Sequence, residues 1–250
     1  MMVLRRRKVR LRSNGKQPAA KGEIMWIKIC GVRDITTACE LARLGVDAIG
    51  LNFYEKSPRA VTVATAEQIG RALPTAVTAV GLFVNESADR IIEIARRCGF
   101  SMLQLHGDEP PSVLAELTER LPNARILRAF RFGEAGIGPL AEYLAECARL
   151  QAMPFACLVD AHVRGAYGGT GQTVPWERLA AEYRRDVWPR LILAGGLTPE
   201  NVRQAIEAAR PWGVDTASGV EASPGVKDLQ RVAAFVTEAR RGDQTFSAAR

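Results

Sequence analysis

The chain has 250 residues, 47% of them hydrophobic and 24% charged, with 22 glycines and 13 prolines. That length suits one large domain with a sizeable core, and the composition excludes a disordered, collagen-like or disulfide-stapled chain. The formal charge of +7 is concentrated in one place: Arg5, Arg6, Arg7, Lys8, Arg10, Arg12, Lys16 and Lys21 lie in the first 22 residues with no acid among them. Without these eight bases, 26 remain against 27 acids, so the rest of the chain is nearly neutral. The expected organisation is therefore a basic, disordered tail over residues 1–24 and a catalytic domain over 25–250. Met25 directly precedes the first strand pattern and is an alternative start. A nucleic-acid partner is not expected, because the basicity belongs to an arm rather than to a folded surface. A membrane partner is not expected either, since no apolar run approaches the roughly 18 residues that span a bilayer. The five cysteines form no C-x-x-C pair, and His106 and His162 are too few for a histidine metal site. No metal is expected, and a reducing cytoplasmic location is the natural inference.

Strand-like and helix-like segments alternate along the chain. Residues 25–30 read as a strand, and Asp34 is placed to cap a helix over 36–44 that Gly45 ends. A strand over 48–53 precedes a helix over 65–73. The next strand covers 77–84, and Ser87 caps an amphipathic helix that runs to Cys98, with Gly99 beyond it. Strand 102–105 leads to a helix over 111–121, strand 125–130 to a helix over 140–150, and strand 155–160 to the glycine-rich stretch 165–171 and a helix over 176–183. Strand 191–194 is followed by a helix that Thr198-Pro199 opens and that runs to about Arg210. The eighth strand covers 214–217, and the last helix is expected over 227–240.

Eight strand–helix units in unbroken alternation call for a parallel sheet. Their number, the chain length and the absence of a G-x-G-x-x-G turn after the first strand favour a single (β/α)8 TIM barrel over an open doubly wound sheet. In such a barrel the active site sits where strands end, which singles out the polar residues there. Cys30 closes the first strand, Asn52 the second, Gln104 and His106 the fourth, and Asp160 the sixth. Gly195-Gly196 after the seventh strand and Ser218-Gly219 after the eighth suit a phosphate, because backbone N–H groups freed by glycine can approach its oxygens closely. Lys28 shares parity with Cys30 and should also point inward, with Asp215 across the barrel as the partner a buried lysine needs. Positive surroundings would lower the Cys30 thiol pKa.

The runs Lys28-Ile29-Cys30-Gly31, Ser57-Pro58-Arg59, Gly81 to Asn85, Gln104 to Gly107, Asp160, Gly168 to Gly171, Ala194 to Leu197 and Ser218 to Glu221 resemble, in order, the phosphoribosylanthranilate isomerase family. The likeness extends from about Met25 to the C-terminal helix. It departs at Ala217, where a second serine is expected before Ser218. The resemblance implies an enzyme of tryptophan biosynthesis that carries out an Amadori rearrangement on a small phosphosugar, without a cofactor, as a monomer or homodimer. It implies Asp160 as general acid, Cys30 as general base and Arg59 as partner of the anthranilate carboxylate. Gln104, His106, Gly169 and Asp215 would line the substrate, and Gly195, Gly196, Ser218 and Gly219 would hold its phosphate. The neighbouring phosphosugar barrels differ at one readable place: the histidine-pathway isomerase has a carboxylate where Cys30 stands, and indole-glycerol-phosphate synthase has a lysine.

Overall fold

Along each strand, side chains alternate between two cores, and this alternation builds the barrel. The computed structural model describes residues 24–161 and 175–248, with side chains over 24–160 and 175–243. Eight parallel strands pair in sequence order and close on themselves: β1 (Trp26–Cys30), β2 (Ala48–Asn52), β3 (Thr78–Phe83), β4 (Met102–Leu105), β5 (Arg125–Phe132), β6 (Ala156–Ala161), β7 (Arg190–Leu193) and β8 (Gly213–Thr216). The closing pair is β1 with β8. Around them lie α1 (Ile35–Arg43), α2 (Val63–Ala72), α3 (Ala88–Cys98), α4 (Pro111–Arg120), α5 (Gly138–Arg149), α6 (Trp176–Glu182), α7 (Val202–Ala209) and α8 (Leu229–Ala248). The basic tail and the glycine-rich stretch with His162 and Gly169 lie outside the described residues.

The inward set includes Val80, Met102, Leu127, Leu158 and Ile192, with small alanines such as Ala48 and Ala156 between them. The outward set, including Ile27, Ile49, Leu103, Val159 and Val214, packs on the helices. Each fully buried Ile or Leu contributes about 1.5–3 kcal/mol, so this larger outer core supplies most of the apolar stabilisation. At the N-terminal ends of the strands, Trp26 stacks on Trp212 with ring centres 5.2 Å apart, and Phe155 meets Trp212 edge-on at 5.7 Å. Arg190 lies over both Phe155 and Trp212, and this aromatic plug leaves the opposite end of the barrel for a site.

The helix starts follow local chemistry. Asp34, Thr62 and Ser87 each accept a bond from the backbone N–H three residues on, satisfying a donor the first turn leaves open. Two helix starts fall later than expected, and α8 runs on to Ala248 rather than ending at 240. Helix α7 begins at Val202 rather than at Pro199, because Asn201 folds the preceding residues into a turn. Its side chain accepts from Thr198 N–H at 2.8 Å and donates to the Gly196 carbonyl at 2.9 Å. Helix α8 begins at Leu229 rather than Lys227, since Asp228 Oδ1 accepts from the N–H groups of Gln230 and Arg231. Before it stands a short hairpin that the sequence pattern did not suggest, formed by β9 (Glu221–Ser223) and β10 (Val226–Lys227).

Candidate active site

Parity carries Lys28 and Cys30 to the inner face of β1, where both are buried. Gly50 on β2 makes room for them: a Cβ there would lie 2.7 Å from Cys30 Sγ and 3.2 Å from Lys28 Cε. Lys28 Nζ donates to Asp215 Oδ1 at 2.9 Å with the lysine fully buried. Burial alone would lower the Lys28 pKa, but Asp215, aided by Cys30, outweighs it and keeps the ammonium charged. The expected pair is thus real, with one correction: β1 and β8 are hydrogen-bonded neighbours, and Lys28 is in register with Asp215 rather than across the barrel from it. The Cys30 thiol also corrects an expectation. Burial raises its pKa, and Asp215 adds to that, although Lys28 and Lys227 pull the other way.

The loop after β2 is braced from within. Asn52 donates to Ser57 Oγ at 3.1 Å and accepts from Tyr54 N–H at 2.8 Å, while Ser57 Oγ accepts from Arg59 N–H. This holds Arg59 over Gly31, whose added Cβ would sit 2.6 Å from Arg59 Cδ. The Arg59 guanidinium meets Glu221 in a bidentate pair, Nε to Oε1 at 2.8 Å and Nη2 to Oε2 at 2.7 Å. Lys227 Nζ donates to the same Oε1 at 2.8 Å and to the Ala217 carbonyl at 3.1 Å.

Opposite this charged side lie β4 and β6. Asp160, at the end of β6, is buried, and its Oδ2 is 3.7 Å from His106 Nε2. Burial, with Lys28, Arg128 and Arg131 nearby, lowers the His106 pKa to about 3, so the ring is neutral and this contact is not an ion pair. Gln104 Nε2 lies 2.7 Å from His106 Nδ1 and braces the ring from below. Glu109 fixes the chain beyond His106 by accepting from Asn85 N–H at 2.7 Å and Gly107 N–H at 3.0 Å.

The rim over β7 and β8 is mostly backbone. Gly195 and Gly196 take left-handed φ values of 82° and 62°, which turn the chain at the strand end without the strain a side chain would add. Ser218–Val220 form a single 3-10 turn, and Gly219 presses so closely on the Leu197 carbonyl that a Cβ would run into it. Thr216 Oγ1 donates to that carbonyl at 2.7 Å and joins the two rims.

One cleft at the C-terminal mouth collects these groups. Among the expected site residues, Cys30, Arg59, His106, Asp160, Gly195, Gly196, Asp215 and Ser218 line it, while Gln104 sits beneath His106 and Gly219 behind the rim. Gly169 lies outside the described residues. The sequence reading missed Glu221 and Lys227 as members of the charged side. In the sequence pattern Glu221 is only the end of a motif and Lys227 the start of a helix. It also left Tyr54 and Thr216, both cleft residues, without a role. For Glu221 the one signal is a buried-charge argument: cations near one strand end require a counter-charge.

The closed barrel and the cleft at its C-terminal mouth define a (β/α)8-barrel enzyme. Residues 27–238 match the family model of N-(5'-phosphoribosyl)anthranilate isomerase. The enzyme of that name from Pseudomonas aeruginosa is 44% identical over 223 residues, covering 88% of this chain and 98% of the relative. The phosphoribosyl anthranilate isomerase from Thermotoga maritima superposes with a TM-score of 0.76 at 32% identity, covering 87% of this chain and 100% of that one. A structure of such an isomerase in complex with reduced 1-(o-carboxyphenylamino)-1-deoxyribulose 5-phosphate gives a TM-score of 0.74 at 33% identity, with the same coverage. The chain belongs to the N-(5'-phosphoribosyl)anthranilate isomerase family.

Proposed function

We propose that this chain converts N-(5-phosphoribosyl)anthranilate into 1-(2-carboxyphenylamino)-1-deoxyribulose 5-phosphate, in tryptophan biosynthesis, with Asp160 as acid and Cys30 as base. The observation that carries this reading is that a thiol from β1 and a carboxyl from β6 face one cleft. That cleft holds an arginine at one end and a glycine-rich backbone rim at the other. The ligand in the related complex has matching ends, a carboxylate and a phosphate.

The reaction begins when Asp160 gives its proton to the ribose ring oxygen. The bond from that oxygen to the anomeric carbon breaks, and the nitrogen lone pair forms an iminium. Cys30, as thiolate, then takes the proton from the adjacent sugar carbon, and the electron pair neutralises the iminium to give an enolamine. Tautomerisation yields the ketone. Arg59 holds the aryl carboxylate and the rim of Gly195, Gly196, Ser218 and Gly219 holds the phosphate, so the reacting carbon lies between the two groups. Lys28 supplies the positive charge that a buried thiolate needs. His106, neutral, lines the sugar and adds no competing charge beside the acid.

Because burial raises the Cys30 pKa, the productive form holds one proton between the two groups, placed on Asp160. The rate therefore falls on the alkaline side as that proton leaves, with a midpoint that belongs to the pair. The deciding assay is turnover of N-(5-phosphoribosyl)anthranilate by the purified protein, followed as loss of anthranilate-type fluorescence. Turnover of this substrate is expected. Preference for the histidine-pathway aminoaldose, with none for this substrate, would overturn the reading. Among the described residues, no helix is long and apolar enough to cross a membrane, and the proposal needs only a small-molecule partner.

A further inference from the structure

The β9–β10 hairpin places two charged side chains, opposite one another in register, against the loop that carries Arg59. At its turn, Gly225 approaches the Pro58 carbonyl so closely that a Cβ would lie 2.8 Å from it. Glu221 and Lys227 are the paired residues, with side chains 4% and 1% exposed. A guanidinium offers five N–H donors and two edges that each fit a carboxylate. Glu221 takes the edge formed by Nε and Nη2. Among the described residues nothing takes the outer edge, formed by Nη1 and the second hydrogen of Nη2. Lys227 bonds the shared Oε1 and the Ala217 carbonyl, and so ties this carboxylate to the rim over β8. Arg59, Lys227 and Glu221 together carry one net positive charge, the match for one incoming carboxylate. Burial works to raise the Glu221 pKa, but Arg59 and Lys227 outweigh it and keep the group ionised.

We propose that Glu221, held by Lys227, is a positioning residue that fixes the Arg59 guanidinium by one edge and leaves the other for the substrate's aryl carboxylate, so that the hairpin sets selectivity for a carboxylated ring. This rests on the reading of Arg59 as the carboxylate anchor. In Glu221→Gln the guanidinium loses its bidentate hold. Lys227, whose pKa burial already lowers, loses its counter-charge and with it the reason to stay protonated. No surplus charge then compensates for the lost geometry.

The test measures the dissociation constants of two ligands by titration calorimetry: reduced 1-(o-carboxyphenylamino)-1-deoxyribulose 5-phosphate and its phenylamino counterpart, which lacks the carboxylate. Glu221→Gln should weaken the first about tenfold, a charged hydrogen bond's worth, and leave the second within about twofold. Glu221→Asp, which keeps the charge but withdraws it by one methylene, should fall between wild type and Glu221→Gln. On an Arg59→Ala background, Glu221→Gln should add no further loss, because its effect passes through the arginine. Equal weakening of both ligands, or a full additional loss on Arg59→Ala, would overturn the inference. Failure of Arg59→Ala itself to distinguish the two ligands would overturn the anchor reading, and the inference with it. Binding of the phenylamino ligand reports that the site is folded, and Glu221→Asp carries the same comparison if the glutamine variant does not fold.

Discussion

The two sides of the cleft differ in how they handle charge. On the β1, β2 and β8 side, every buried charge has a partner: Lys28 with Asp215, and Arg59 and Lys227 with Glu221. On the β4 to β6 side, Arg128 pairs with Glu109, and Asp160 lies 3.7 Å from a histidine that burial keeps neutral. The first side is an electrostatic scaffold, costly to desolvate and rigid once paired. The second sets an uncharged ring 3.7 Å from its carboxyl. In the proposed mechanism the base and the carboxylate anchor share the charged side, and the acid sits opposite, beside the neutral ring.

Changes to one side at a time break this comparison most sharply. Cys30→Ser and Asp160→Asn each keep side-chain shape but remove a proton carrier. Each should reduce turnover about 100- to 10,000-fold while leaving binding of the product analogue near normal. Steady-state rates and calorimetry read the two effects separately. Lys28→Met tests the scaffold next. It strands Asp215 as a buried, unpaired carboxylate and should cost about 3–5 kcal/mol in denaturant unfolding. It also removes the cation that restrains the Cys30 pKa, so the alkaline limb of kcat/KM should move further up. An unchanged alkaline limb would separate Lys28 from the base.

The neutral side has its own signature. The His106 pKa falls from 6.5 to about 3 on folding, so the unfolded chain binds the extra proton between those values. The stability this group contributes is full above pH 6.5 and is lost as pH falls toward 3, at up to about 1.4 kcal/mol per pH unit. His106→Gln should flatten that slope in unfolding titrations; an identical slope would mean the ring is charged in the folded protein. The smallest effect is expected from the tail. Deleting residues 1–22 should change kcat/KM by less than about twofold, since such termini carry little of a fold, and the family match begins at residue 27.

The sequence foretold the two sides unequally. Alternation marks all eight strand–helix units, and Asp34 and Ser87, which act within one turn of themselves, mark the starts of α1 and α3. Parity puts Lys28 on the same face as Cys30 and the cost of burying its charge asks for Asp215, though only closure of β1 on β8 makes Lys28 and Asp215 neighbours. The hairpin was hidden because its strands are two and three residues long, too short to show a period. Lys227 merges into the following helix pattern for the same reason, and Glu221 pairs with an arginine 162 residues away. The direction of the Cys30 pKa was also out of reach, since it is a balance of burial against Lys28 that residue types alone cannot weigh.

The most direct test of the central claim, that the two sides act as one unit on one substrate, is the turnover of the Cys30→Ser/Asp160→Asn double variant beside its two parents. If acid and base serve a single rearrangement, the double should lose far less than the product of the single losses, because removing either already disables the unit. A double-variant loss equal to the full product would contradict that claim, and a Cys30→Ser enzyme that retains most of its turnover would remove Cys30 from the mechanism.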